Sequence, residues 1–239
     1  MIERLVVFGD SFSFGQGLDG TNIAYQTPSP LAWPNKLAEL LGVPVVNCSW
    51  PGSSNKMINW TALNFPMLST DLVVFCWSCP QRHTVIKDLL YKKSETYMQY
   101  HHILNVSSTK NYGTWLEDDP VVMNYYGGVY DDTDAIIDTL KLIQYSDLYT
   151  KQFTPYCLQT TIPQMGDLDQ LCTQDEKYTV NPDHAFLSES PEWFSTEIVA
   201  TMSYEKFNVG QSDDGHLNLE ASDHFANRLY QLLTARHII

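Results

Sequence analysis

Apolar residues along this chain form short unbroken runs separated by stretches of helical spacing. Leu5-Val6-Val7-Phe8 is stopped by Gly9, Pro44-Val45-Val46-Asn47 is a second run, and Asp71-Leu72-Val73-Val74-Phe75-Cys76-Trp77 is the longest, stopped by Ser78, Cys79 and Pro80. Runs of this kind, without polar alternation, predict strands buried on both faces of a parallel sheet. Pro155 to Gln159 predicts a fourth strand. A helix is predicted from near Ala32, with Pro34 in its first turn and Trp33, Leu37, Leu40 and Leu41 on one face before Gly42 stops it. Another should follow Ser53 or Ser54, both good N-cap residues. From Thr133 to about Gln152, Ile136, Ile137, Leu140, Ile143 and Tyr145 or Leu148 recur at helical spacing, and Leu219 to about Ala235 is amphipathic through Phe225, Leu229, Leu232 and Leu233. Strands alternating with helices predict a three-layer α/β/α fold around a parallel sheet.

Residues 82–132 break the alternation and carry Tyr91, Tyr97, Tyr100, Tyr112, Trp115, Tyr125, Tyr126 and Tyr130 beside His101 and His102. They read as an aromatic-rich insertion in one domain spanning residues 1–239, either a lid or substrate surface or aromatics that pack the insertion on the body. One α/β domain is the simpler division, since domains typically hold about 100 to 200 residues. An apolar fraction of 44% with 13% aromatic residues supplies a sizeable core.

Charge narrows the partners. Twenty-eight acidic against fourteen basic residues give a formal net charge of −14, which repels phosphate backbones and anionic lipid surfaces, so nucleic acid is not expected. No apolar run reaches the roughly 18 to 20 residues that span a bilayer. The first predicted strand leaves no room for a secretion signal, and a cytoplasmic location is expected. Five cysteines (Cys48, Cys76, Cys79, Cys157 and Cys172) are an odd set that does not suggest a disulfide framework.

Candidate chemistry begins in the stretch Gly9-Asp10-Ser11. Gly15-Gln16-Gly17-Leu18-Asp19-Gly20 matches the dinucleotide fingerprint formally, but no strand immediately precedes it and the prolines at 28 and 30 exclude a helix after it. Near the other end, Asp213 and His216 stand three residues apart just before the last helix. A carboxylate at that spacing can accept from imidazole Nδ1–H and leave Nε2 facing outward, a base with its orienter; Asp214, at a spacing of two, suits this less well. Ser11 at the end of the first strand and His216 entering the last helix can meet at the sheet edge where open α/β folds place their sites.

These segments resemble the SGNH (GDSL-like) hydrolase family. FGDSFSFGQG is similar to the first block, NCSWPGSSN to the second, and DDGHLNLEASDHFANRL to the last, D-x-x-H followed by a helix. The resemblance covers about half the chain. It implies a flavodoxin-like sheet, Ser11 as nucleophile with its amide in an oxyanion hole, a second donor from the Gly52 amide, and Asp213 and His216 as the remaining catalytic residues. It also implies ester hydrolysis without metal or organic cofactor, on a small-molecule or carbohydrate ester such as an O-acetyl group or a short acyl ester, with acyl transfer to another alcohol open to the same acyl-enzyme. One block departs: after the third strand the family has G-x-N-D, whose Asn is a third oxyanion donor, whereas this chain has VVFCWSCPQR. Ser78 is the best-placed substitute and Asn55 an outside candidate; losing one donor costs roughly 100-fold to 1000-fold in rate.

Each residue has a plainer reading. Ser11 alone would be a turn or N-cap serine, Gly52 after Pro51 a tight turn, and His224 a structural residue of the last helix. His101 and His102 are adjacent and diverge on a regular element, so no metal site is expected there. Cys76 and Cys79 form a C-x-x-C, but Pro80 follows where a redox motif should open a helix, and Cys76 reads as a small buried hydrophobe. A weak or inactive binding module on the same fold, taking a carbohydrate or protein ligand, and a thiol redox protein using Cys76 and Cys79 are the rival functions.

Overall fold

A computed structural model describes residues 1–18, 27–86, 109–112, 120–162, 196–201 and 216–239. The elements in chain order are β1 (Arg4–Phe8), α1 (Ser11–Phe14), α2 (Trp33–Leu41), β2 (Val45–Asn47), α3 (Asn55–Leu63), β3 (Asp71–Trp77), β4 (His83–Ile86), β5 (Thr109–Tyr112), α4 (Pro120–Gly128), α5 (Asp132–Thr150), β6 (Tyr156–Thr161), β7 (Ile198–Thr201) and α6 (Leu219–Ala235). Five strands form one parallel sheet in the order β2-β1-β3-β6-β7. In chain order of the sheet strands this is the doubly wound, flavodoxin-like arrangement, whose order reverses beside β1. The predicted three-layer α/β/α fold is therefore present.

Alternation along the strands sorts the core into two layers. Leu5, Val7, Leu72, Val74 and Cys76 face α2 and α6 through Trp33, Leu37, Phe225 and Leu229. Val6, Phe8, Val73, Phe75 and Trp77 face α3 and α5 through Ile58, Ala62, Leu140 and Ile143. All seven residues of β3 are buried, as its run of apolar residues requires of a central strand. On α5 the buried face ends in Ser146, Asp147 and Thr150, whereas Tyr145 and Leu148 are exposed. The stripe turns polar there because its partners are polar: Asn59 Nδ2 donates to Ser146 Oγ at 2.8 Å and Lys151 Nζ pairs with Asp147 at 2.6 Å. Leu40 of α2 is likewise exposed.

The fourth strand runs to Thr161, beyond its predicted end, because Thr160 and Thr161 pair with Cys76 and Trp77 on one side and with β7 on the other. Within the aromatic-rich insertion, β4 and β5 form an antiparallel pair, which the sequence did not announce. Tyr91, Tyr97, Tyr100, His101, His102 and Trp115 lie outside the described residues.

Candidate active site

Strand β1 ends in a tight strand-to-helix turn. Asp10 is the N-cap of α1: its Oδ1 accepts the Phe12 N–H at 3.0 Å and its carbonyl accepts the Phe14 N–H at 2.9 Å. Ser11 is thus the first helical residue, whose own N–H has no carbonyl a turn earlier to bond. Gly9 is required by close approach, since a Cβ there would lie 2.6 Å from Ser13 Oγ and 3.1 Å from Ser49 Oγ. Ser11 is buried, as are Asp10, Phe12 and Ser13.

The chain after β2 continues alongside this turn. Cys48 N–H donates to the Val7 carbonyl at 2.7 Å and Trp50 N–H to the Gly9 carbonyl at 3.1 Å. Asn47 Nδ2 crosses to the Ser13 carbonyl at 2.7 Å, and Phe14 meets Trp50 edge-on with ring centroids 5.9 Å apart. Pro51 and Gly52 therefore turn beside the Ser11 segment. Gly52 adopts φ 74°, a conformation side chains disfavour, so the tight Pro-Gly turn is real, and the Trp50 N–H on the Gly9 carbonyl ties the residues before it to the turn after β1.

His216 reaches the same end of the sheet. It precedes Leu217, which is buried in the core layer that includes Phe12, and Asn218, the N-cap of α6, whose Oδ1 accepts the Ala221 N–H at 2.9 Å. Ser222 Oγ, donating to the Leu31 carbonyl at 3.1 Å, holds the start of α6 on the loop before α2. The imidazole packs against Phe12, centroids 5.1 Å apart, with Nδ1 buried. Asp213 and Asp214 lie outside the described residues.

The third-strand block has a different arrangement from the one its sequence suggests. Asn55, first residue of α3, uses its whole amide internally: Oδ1 accepts the Ser78 N–H at 2.7 Å, while Nδ2 donates to the Ser78 carbonyl at 2.9 Å and to Thr139 Oγ1 at 3.1 Å. The Ser78 hydroxyl turns to Asp10 Oδ2 at 3.0 Å. Both side chains thus spend their donors on neighbouring residues around the turn at Ser11. Arg82 was not singled out by sequence. The turn Cys79–Arg82, closed by the Arg82 N–H on the Cys79 carbonyl at 3.2 Å, carries its guanidinium back to Asp10, with Nη1 2.6 Å from Oδ2. The available signal was topological: adjacent parallel strands end together, so a cation just past β3 lies beside an acid just past β1.

Cys76 is fully buried and burial pushes its thiol up to about 12, with Asp10 adding to the rise. Burial also raises the Cys79 thiol, and both cysteines are free. An activated dithiol needs the opposite shift, and Cys79 opens the turn that delivers Arg82. Tyr126 hydroxyl donates to the Gln81 carbonyl beside that turn, and Tyr125 lies 5.0 Å from His83. Among the described residues no group of three or more His, Cys, Asp and Glu is arranged to hold a metal, and no helix is long and apolar enough to cross a membrane.

No protein-family model and no curated protein matches the chain. Among solved structures it is similar to a family two carbohydrate esterase of Corynascus thermopiles (Myceliophthora fergusii) with a carbohydrate binding domain, at 12% identity and a TM-score of 0.47, over 98% of this chain and 66% of that one. It is similar also to a family two carbohydrate esterase from Clostridium thermocellum in complex with cellohexaose, at 8% identity and a TM-score of 0.46, over 98% and 64%. The lipase Lip_vut3 from a goat rumen metagenome aligns at 12% identity and a TM-score of 0.40, over 97% of both chains. The chain thus spans 64 to 66% of the length of the two esterases. These likenesses assign no activity to it.

Proposed function

We propose that this protein is an SGNH-type serine esterase that cleaves a carboxylic ester through an acyl-enzyme on Ser11. The observation that carries the reading is the meeting of the two chain ends: His216 packs on Phe12, the residue next to Ser11, where β1 ends. Ser11 Oγ attacks the ester carbonyl carbon while His216 Nε2 takes its proton. The oxyanion lies between the N–H groups of Ser11 and Gly52. Collapse breaks the bond to the alcohol, which leaves with the proton from His216. Water then adds to the acyl-enzyme, giving its proton to His216, and the acid departs as Ser11 Oγ is reprotonated. Asp213 would orient the imidazole and stabilise its cation. No metal or organic cofactor enters these steps.

O-acetyl groups on carbohydrate and short acyl esters are the proposed substrates, with the partly exposed Tyr125, Tyr126 and Tyr130 as surfaces on which a sugar can stack. A second reading, a binding module of this fold with weak catalysis, is favoured by one observation: Asn55 and Ser78 are committed to other partners where the family has a substrate-facing Asn.

The test is reaction with a fluorophosphonate probe followed by peptide mapping. Labelling at Ser11 that is lost in Ser11→Ala and His216→Ala supports the esterase; absence of labelling in folded wild-type protein removes it and leaves glycan binding as the assay to run.

A further inference from the structure

Beside Ser11 lies a buried carboxylate that the hydrolytic steps do not use. Asp10 is 0% exposed and its two oxygens have different tasks: Oδ1 caps α1 through the Phe12 N–H, and Oδ2 receives Ser78 Oγ at 3.0 Å and Arg82 Nη1 at 2.6 Å. Ser78 is itself clamped at both backbone groups by Asn55. Asn55, Ser78, Arg82 and Asp10 therefore form a continuous polar chain from α3, through the end of β3, to the residue preceding the nucleophile.

An anion at this place is hazardous for ester hydrolysis. The attacked carbonyl oxygen becomes negative at the Ser11 amide, and in a low-dielectric interior a neighbouring carboxylate opposes that charge. A buried carboxylate without its counter-ion also becomes strongly unfavourable and draws away from its other partners, here the Phe12 N–H that fixes the turn at Ser11. Resting on the esterase reading, we infer that Arg82 is a positioning residue for Ser11: it neutralises Asp10 and locks it as the cap of α1, so that the Ser11 amide can receive an oxyanion.

A purely structural ion pair and this role differ in what a second substitution does. Asn caps a helix about as well as Asp, so Asp10→Asn removes the hazardous charge and keeps the cap. Fluorophosphonate labelling rates and melting temperatures are compared for wild type, R82Q, R82K and the D10N/R82Q double variant. R82Q should label about 100-fold more slowly than wild type, the scale of loss from a displaced reacting group. D10N/R82Q should recover about tenfold of that loss, as expected for a strongly coupled pair, and R82K should fall between wild type and the double variant. R82Q labelling at the wild-type rate, or a double variant no faster than R82Q, overturns the inference. Should R82Q not fold, the double variant decides: labelling within about tenfold of wild type is expected, and slower labelling overturns the inference. If wild type itself does not label, the esterase reading fails first, and the inference falls with it.

Discussion

The imidazole of His216 lies against the ring of Phe12, centroids 5.1 Å apart and planes at 47°. Phe12 is also a core residue, 2% exposed, in the layer that includes Leu217. One side chain thus joins the turn that carries Ser11 to the loop that carries His216. Phe12→Leu keeps an apolar filler but removes the ring. It should lower stability by about 1 to 2 kcal/mol and slow fluorophosphonate labelling of Ser11 by about tenfold. A lower melting temperature with unchanged labelling would mean that the contact is packing alone.

Asn55 provides a separate check on the site's frame. Asn55→Ala leaves the Ser78 N–H and carbonyl without their partner in a buried setting. A loss of about 2 to 4 kcal/mol is expected in denaturant unfolding, from the usual penalty for each buried polar group left unmet. If Asn55 instead served a substrate oxyanion, activity would fall while stability stayed near that of wild type.

The thiols offer a test of the redox alternative. Cys48 and Cys76 are buried, and burial raises both thiols, that of Cys76 to about 12. In mildly alkaline buffer iodoacetamide should leave both unmodified in the folded protein and alkylate both after unfolding, as read by peptide mass spectrometry. Rapid alkylation of folded Cys76 would revive the dithiol reading.

His83 is expected to give the fold a pH dependence. Burial, helped by Lys56, lowers its pKa from 6.5. A base whose folded pKa is depressed contributes stability above its unfolded pKa and loses it as pH falls through the folded value. Melting temperature should therefore drop on acidification from neutral through 6.5 and below, and His83→Gln should drop less over the same range. Equal slopes would show that His83 does not carry this dependence.

The periodicity of the chain was sufficient for much of the architecture. Asp71–Trp77 and Leu219–Ala235 have the predicted bounds because a fully apolar run and a sustained amphipathic stripe are determined by local composition and spacing. Helical spacing offered Tyr145 or Leu148 as the end of the apolar series on α5, yet both are exposed, because burial there follows polar partners on α3 and β6, which no spacing rule contains. The antiparallel pairing of Thr84 with Asn111 was equally illegible, since pairing partners distant in sequence are chosen by tertiary context.

The same division runs through the site. Sequence alone determined that a serine follows shortly after the first strand, that a D-x-x-H stands shortly before the last helix, and that VVFCWSCPQR holds no asparagine; these are properties of local order. Only the tertiary structure decided that His216 rests on Phe12, that Ser78 and Asn55 turn inward, and that Arg82 reaches Asp10. The physical reason is that a polar side chain's direction is set by whichever buried partner must be satisfied. Those partners come from separate strands that end together only once the sheet is assembled.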